Sequence, residues 1–254
     1  VALELAPSER EALAALGYIA STAPPRRSPP DPRDLVDGHV QFERSQVQMA
    51  AGLYEEALAG LDAMLAEDPE NLAALAIKGQ VFVMMGDPDR AEQTWRHCLE
   101  IDPANSDVVA SLCHLEMSKG RYDEVVKLAQ AGRRTRSPFR VFDAIEARAL
   151  AALGRRDEAS ALVESALASS PDDPDLLSVR ATWLVEQGKF AEAEAELTRA
   201  VTVSPFHQRS RRQLGALLKS ADRPQDAVAV YEEMLRIQPE DADTPYDLGA
   251  LLLH

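Results

Sequence analysis

Small and apolar residues recur along this chain in two short runs that together repeat as one longer unit. From position 174, Leu177, Ala181 and Leu184 stand three or four residues apart. Gly188 follows, then Phe190, Ala193, Leu197 and Ala200 at the same spacing, then Pro205. Steps of three and four mark one face of an α-helix. The stretch therefore predicts two amphipathic helices, parted by a turn at Gly188 and closed near Pro205, since a proline disfavours helix at the residue before it. The stretch from 72 has the same outline in Leu75, Gly79, Phe82, Gly86, Ala91, Trp95, Cys98 and Pro103.

The unit is 34 residues long. Glycine occurs at 52, 86, 120, 154 and 188, and Asp222 fills the next slot. Five residues on stand Ala57, Ala91, Val125, Ala159, Ala193 and Ala227; seventeen on stand Pro69, Pro103, Ser137 with Pro138 beside it, Pro171, Pro205 and Pro239. A fixed long period means stacked units, each too small to bury a core alone. Glycine suits the positive φ that ends the first helix. The small residue after the turn lets two antiparallel helices approach closely, and a bulky one there is expected to overpack the contact.

Units are expected to start near 38, 72, 106, 140, 174 and 208, with half a unit from 242. Residues 34–254 then form one solenoid. Residues 1–20 read as a short helix opened by the Ser8/Glu11 capping box. Residues 21–33, with prolines at 24, 25, 29, 30 and 32, read as an extended linker. Asp31-Pro32 and Asp87-Pro88 each read as an N-cap followed by proline at the first helical position. The third unit departs most, with Val125 for alanine, Gly132 late in its second helix and the proline shifted to 138, so its junction with the fourth is expected to be the least regular. Gln41, Arg44 and Ser45 replace apolar residues in the first unit, which reads as an atypical cap. Leu251, Leu252 and Leu253 span about 200° of helix, more than one packing face covers, so self-association through this end or a longer natural chain is expected.

The small residue, the Gly-x-Tyr-x-x-Ala outline and the proline at 34-residue spacing resemble the tetratricopeptide repeat (TPR) family over about 210 residues. The resemblance implies an all-α fold: a right-handed superhelix, or α-solenoid, of six helix-turn-helix repeats and a partial seventh. It also implies that the first helix of each repeat lines an inner groove. Carried over, the groove holds His39, Phe42, Gln46 and Met49, then Gln80 and Val83, then Asp107, His114 and Met117. Arg148, then Asp175, Ser178 and Thr182, then Arg209, Arg212 and Lys219 follow, with Tyr246 beyond. The function implied is a non-catalytic protein–protein interaction scaffold that binds a peptide or partner segment. Two family specialisations do not fit. The chaperone-binding carboxylate clamp needs Lys and Asn where this chain has Phe42, Gln46, Ile77, Asp107 and Ser111, and an asparagine ladder like that of O-GlcNAc transferase meets Glu43, Ile77, Ser111, Ile145, Val179 and Gln213.

A second resemblance is confined to about 20 residues. Ser8–Ile19, the proline linker and Asp31-Pro32-Arg33-Asp34 are similar to the linker before the TPR tail of bacterial sulfatase-like proteins of the alkaline phosphatase superfamily. It implies the alternative function of an accessory tail to a sulfatase-like or phosphoesterase-like hydrolase whose catalytic domain lies upstream. A start at Val1 rather than Met fits a fragment or processed product. The compartment would be the cytoplasm or, on this resemblance, the bacterial cell envelope.

Charge and composition narrow the partners. The net charge is −15, from 27 basic and 42 acidic residues, which disfavours nucleic acid and anionic membranes. No apolar run approaches the ~20 residues of a membrane span. Cys98 and Cys113 are too few for a disulfide scaffold and occupy small buried slots. With His97 and His114 on opposite faces they do not make a zinc site, so no metal or cofactor is expected. The sulfatase Cys-x-Pro-x-Arg motif, phosphate-binding glycine loops and a spaced Ser/His/Asp set are absent, so no enzyme is expected. Two basic clusters stand out. Arg209, Arg211 and Arg212 after His207 could dock an acidic segment, while Arg133, Arg134, Arg136 and Arg140 follow a helix end, where cations complement the macrodipole.

Overall fold

The computed structural model describes residues 32–134 and 141–237. Among them are twelve helices and no strand. They are α1 (Pro32–Ala50), α2 (Tyr54–Glu67), α3 (Leu72–Met84), α4 (Pro88–Ile101), α5 (Ser106–Ser118) and α6 (Tyr122–Arg133), then α7 (Val141–Ala152), α8 (Arg156–Ser169), α9 (Pro174–Glu186), α10 (Phe190–Val203), α11 (Gln208–Ser220) and α12 (Pro224–Ile237). The chain divides into two compact units, 1–60 and 61–254. The N-terminal helix, the body of the linker, the partial seventh repeat and the leucines at 251–253 lie outside the described residues.

In the first unit, polar side chains take the packing positions. Ser45 is fully buried on α1, and its hydroxyl donates to the Gln41 carbonyl at 3.0 Å. Bonding one turn back satisfies a small hydroxyl without a partner from another element. Gly60 faces this spot: a Cβ there would stand 2.6 Å from Ser45 Oγ. A serine against a glycine thus does the work that an apolar pair does elsewhere.

In the second unit the helices pair as hairpins, α3 with α4 through α11 with α12. Each first helix ends in the same way. Gly86, Gly120, Gly154 and Gly188 have φ between 71° and 78°, and Asp222 takes φ 58° in the equivalent slot. The amide after the turn bonds back, as Asp87 N to Phe82 O at 2.8 Å, which satisfies an otherwise orphaned carbonyl. Asn71, Asp87, Asn105 and Asp173 open their helices by accepting from the amide three residues on. Asp87 and Asp173 precede a proline at N1.

The small-residue column packs as its spacing predicts. Ala91, Ala159, Ala193 and Ala227 are fully buried, and so is Val125, whose extra methyls the third repeat accommodates. Within a hairpin, a large residue of the second helix enters a notch in the first. The Trp95 ring covers Gly79 while its Nε1 donates to the Ala76 carbonyl at 3.0 Å, and the Tyr231 ring covers Gly215.

The third and fourth repeats join differently. Helix α6 has 12 residues where α4, α8 and α10 have 14. The ring of Phe142, on the next helix, fills the space over Gly132. Arg133 closes the junction with ion pairs to the buried Asp143 and Glu146, both at 3.0 Å, and Gln130 donates to Glu146 at 2.8 Å. Arg133 is thus a structural residue; Arg136 and Arg140 lie outside the described residues.

Candidate functional site

The first helices α5, α7, α9 and α11 lie side by side. Met117, Arg148, Thr182 and Arg209, four of the residues expected to face inward, line one cavity of about 470 Å³. Ser178 and Gln213 supply polar groups, and Val179, Trp183 and Tyr122 supply apolar ones. A volume of this size accepts a short stretch of peptide or a small molecule.

The charges in and around the cavity are unevenly neutralised. At its edge, Arg156 pairs with Glu186. Arg148 and Arg209 make no hydrogen bond or ion pair among the described residues. Burial lowers the Arg148 guanidinium to about 10, and repulsion from Arg209 adds to the effect against a pull from Asp175. Two cations held near each other without salt bridges raise the local potential in an otherwise acidic chain.

Asp175 at the start of α9 is the nearby counter-charge, and His207 fixes it. The Ser210 amide points at His207 Nδ1, 3.3 Å away. That nitrogen accepts, so the ring proton sits on Nε2 and donates to Asp175 Oδ1 at 3.2 Å. Burial alone would raise the Asp175 carboxyl, but this hydrogen bond and the charges of Arg209 and Arg148 hold it below its usual range. His114, on α5, feels the same field. Although its side chain is exposed, partial desolvation, then Arg148 and Arg209, depress its imidazole below the ordinary value, against a pull from Asp175.

Polar groups in the cavity are incompletely bonded. Thr182 donates to the Ser178 carbonyl at 3.1 Å and accepts from Gln213 Nε2 at 2.9 Å. Ser178 is fully buried, yet its Oγ has no partner, and neither has Gln213 Oε1.

The other expected groove residues lie elsewhere. Gln80 and Val83 are exposed on α3, Asp107 on α5 and Lys219 at the end of α11. Arg212 is half-buried and does not line the cavity. In the first unit His39 is exposed and pairs with Glu43 at 3.2 Å, Gln46 is exposed, and Phe42 and Met49 are half-buried. Tyr246 lies outside the described residues. Arg211, grouped by sequence with Arg209 and Arg212, is separated from them. It is buried and its Nε donates to the Pro205 carbonyl at 2.5 Å.

Sequence reasoning missed Trp183, Gln213, Tyr122 and Arg156. Trp183 is 8 % exposed, so periodicity assigns it to the core, although one edge reaches the cavity. Tyr122 and Arg156 occupy equivalent slots just after the turn, at a 34-residue interval, and that equivalence was the available signal.

Among the described residues, no three His, Cys, Asp or Glu side chains are grouped to hold a metal ion, and no helix is long and apolar enough to cross a membrane. Cys98 and Cys113 are buried free thiols. Burial, with a contribution from Glu116, pushes Cys113 up to about 12.

An inner row of first helices, a 34-residue period and a mixed polar and apolar cavity define a helical-repeat protein-interaction scaffold. Tetratricopeptide repeat profiles match residues 48–97 and 178–242, and the chain belongs to the tetratricopeptide repeat family. Its fold is an all-α solenoid of helical repeats, a class that typically binds rather than catalyses. Among solved structures it is similar to a tetratricopeptide repeat protein from Parabacteroides merdae, with 16% identity, TM-score 0.68 and coverage of 96% of this chain and 91% of the other. PilW, a widely conserved type IV pilus biogenesis factor, gives 17% identity, TM-score 0.58 and coverage of 85% and 98%. The Cut9–Hcn1 hetero-tetramer of the APC/C gives 14%, 0.58, and coverage of 85% and 42%. At these identities the likeness is one of fold. No match was found among curated proteins. The profile matches do not reach residues 8–19, which carry the sulfatase-linker resemblance and lie outside the described residues.

Proposed function

We propose that the chain binds a segment of a partner protein along the inner row of first helices, with the cavity between α5 and α11 as the centre of the contact. The observation that carries this reading is the pair Arg148 and Arg209, left without salt bridges beside Met117 and Trp183 in a chain of net charge −15. Cations of this kind favour a partner with an acidic segment. His114, Thr182, Arg212 and Lys219 extend the polar surface of the same row, and Asp107, Gln80 and Val83 continue it towards α3. His39, Phe42, Gln46 and Met49 would be the corresponding surface of the first unit. The Cut9–Hcn1 assembly, similar in fold, contains a partner chain, which is in keeping with a scaffold role.

Photo-crosslinking tests this reading. A photoreactive residue replaces Thr182 on the inner row or, as control, the exposed Thr198 on α10. Expected is a discrete crosslinked protein from Thr182 in the source cells and none of the same mass from Thr198. Equal products from both positions, or none from Thr182, would overturn it.

A further inference from the structure

We infer that the cavity is an anchor subsite for one acidic side chain, an Asp or Glu within the partner segment, held between Arg148 and Arg209 with a neighbouring apolar side chain on Met117 and Trp183. This rests on the groove reading above and adds to it the chemistry of the residue that is recognised.

The charge balance sets the ligand's charge. Arg156 is matched by Glu186. Arg148 and Arg209 contribute two positive charges, and Asp175, fixed by His207, returns one negative. The surplus is one positive charge, which a single carboxylate balances. A phosphate dianion would exceed that surplus by one negative charge. Guanidinium groups suit a carboxylate because their planar N–H donors match its two oxygens.

The buried hydroxyl is independent of that balance. A helical serine ordinarily satisfies its O–H on the carbonyl four residues back. Ser178 does not: its Oγ is fully buried in the cavity lining and has no partner. A buried unpaired donor is unfavourable until an acceptor arrives, and a carboxylate oxygen is such an acceptor. Beside it, the thioether of Met117 and the edge of Trp183 give a deformable apolar floor. The cavity lining itself runs across the row of first helices from α5 to α11, so a bound chain can cross it and present a side chain rather than its end.

The test uses the whole 254-residue chain. A phage-displayed library of random dodecapeptides is selected on it, and enriched sequences are made as fluorescent peptides and titrated. Expected are sequences sharing one Asp or Glu next to Leu, Met, Phe or Trp. Replacing that acid by Asn or Gln should weaken binding roughly 10-fold or more, as loss of a hydrogen bond to a charged group does. Arg148→Met and Arg209→Met should each do the same, Ser178→Ala should weaken binding a few-fold, and Arg199→Met on α10 should leave it unchanged, with circular dichroism confirming each fold. Peptides indifferent to loss of the acid, bound 10-fold more tightly when phosphoserine replaces it, or lost on C-terminal amidation would overturn the subsite. Peptides lost with Thr182→Tyr but unaffected by both arginine variants would remove the subsite and leave the groove. Peptides unaffected by all of these, or no enrichment, would remove both.

Discussion

The ring of Phe142 lies over the backbone of Gly132, so that a Cβ on residue 132 would stand 2.6 Å from ring Cε1. Each side of this contact belongs to a different repeat, and the ring is almost fully buried. Gly132→Ala should therefore destabilise the second unit by about 1–2 kcal/mol, because overpacking outweighs the ~1 kcal/mol that alanine gains over glycine in a helix. Urea unfolding followed by circular dichroism would read the loss. A gain in stability would show that the ring moves aside freely.

Glu92 of α4 is the hub of a charge network. Lys119 reaches it at 2.9 Å, Arg96 at 3.0 Å, and Arg121 bonds both it and the buried Glu116. Burial pushes the Glu92 carboxyl up, but Lys119, Arg121 and Arg96 overcome this and hold it at about 2. A carboxyl lowered in the fold stabilises fully above its unfolded value near 4.5 and loses that contribution as pH falls towards 2. The urea midpoint should drop across this window, and the drop should be shallower in Glu92→Gln.

His114 gives the opposite charge type and a different window. Its imidazole is lowered from 6.5 by the protein around it and by Arg148 and Arg209, partly opposed by Asp175. The unfolded chain therefore takes up this proton first, and stability should fall as pH drops below 6.5. His114→Gln should flatten that fall. A carboxylate ligand beside Arg148 would lift the imidazole again, so peptide affinity should rise as pH falls from 7 towards 6, in the wild type and not in the variant.

Asp222 holds φ 58° where the preceding repeats have glycine. A non-glycine residue in this region is strained by contact between Cβ and the carbonyl, by roughly 1 kcal/mol. Asp222→Gly should stabilise the last described hairpin by about 0.5 kcal/mol after the added freedom of the unfolded glycine is counted. Thermal melts would show a small upward shift, while Asp222→Val should shift the melt down.

The repeat architecture was legible because glycine, alanine and proline each satisfy a backbone or close-packing demand that returns every 34 residues. Met117, Arg148, Thr182 and Arg209 were expected in the groove from the family resemblance, and they line one cavity. What spacing did not carry is the direction of each long side chain. Arg209 and Arg211 are two residues apart, yet one lines the cavity and the other is buried against Pro205, since two helical steps turn a side chain to another face. Nor could spacing reveal that Arg133 is consumed by Asp143 and Glu146 while Arg148 is left without a salt bridge. That depends on which acids the neighbouring repeat happens to present.

The two thiols turn the second and third repeats into a built-in clock. Cys98 and Cys113 lie in adjacent repeats, both are fully buried, and each is pushed away from the reactive thiolate chiefly by burial. An alkylating reagent meets them only when the local hairpin opens, so their labelling rates measure how often each repeat breathes. Unequal rates would locate where the solenoid comes apart first, and a ligand seated among α5, α7, α9 and α11 should slow Cys113 more than Cys98.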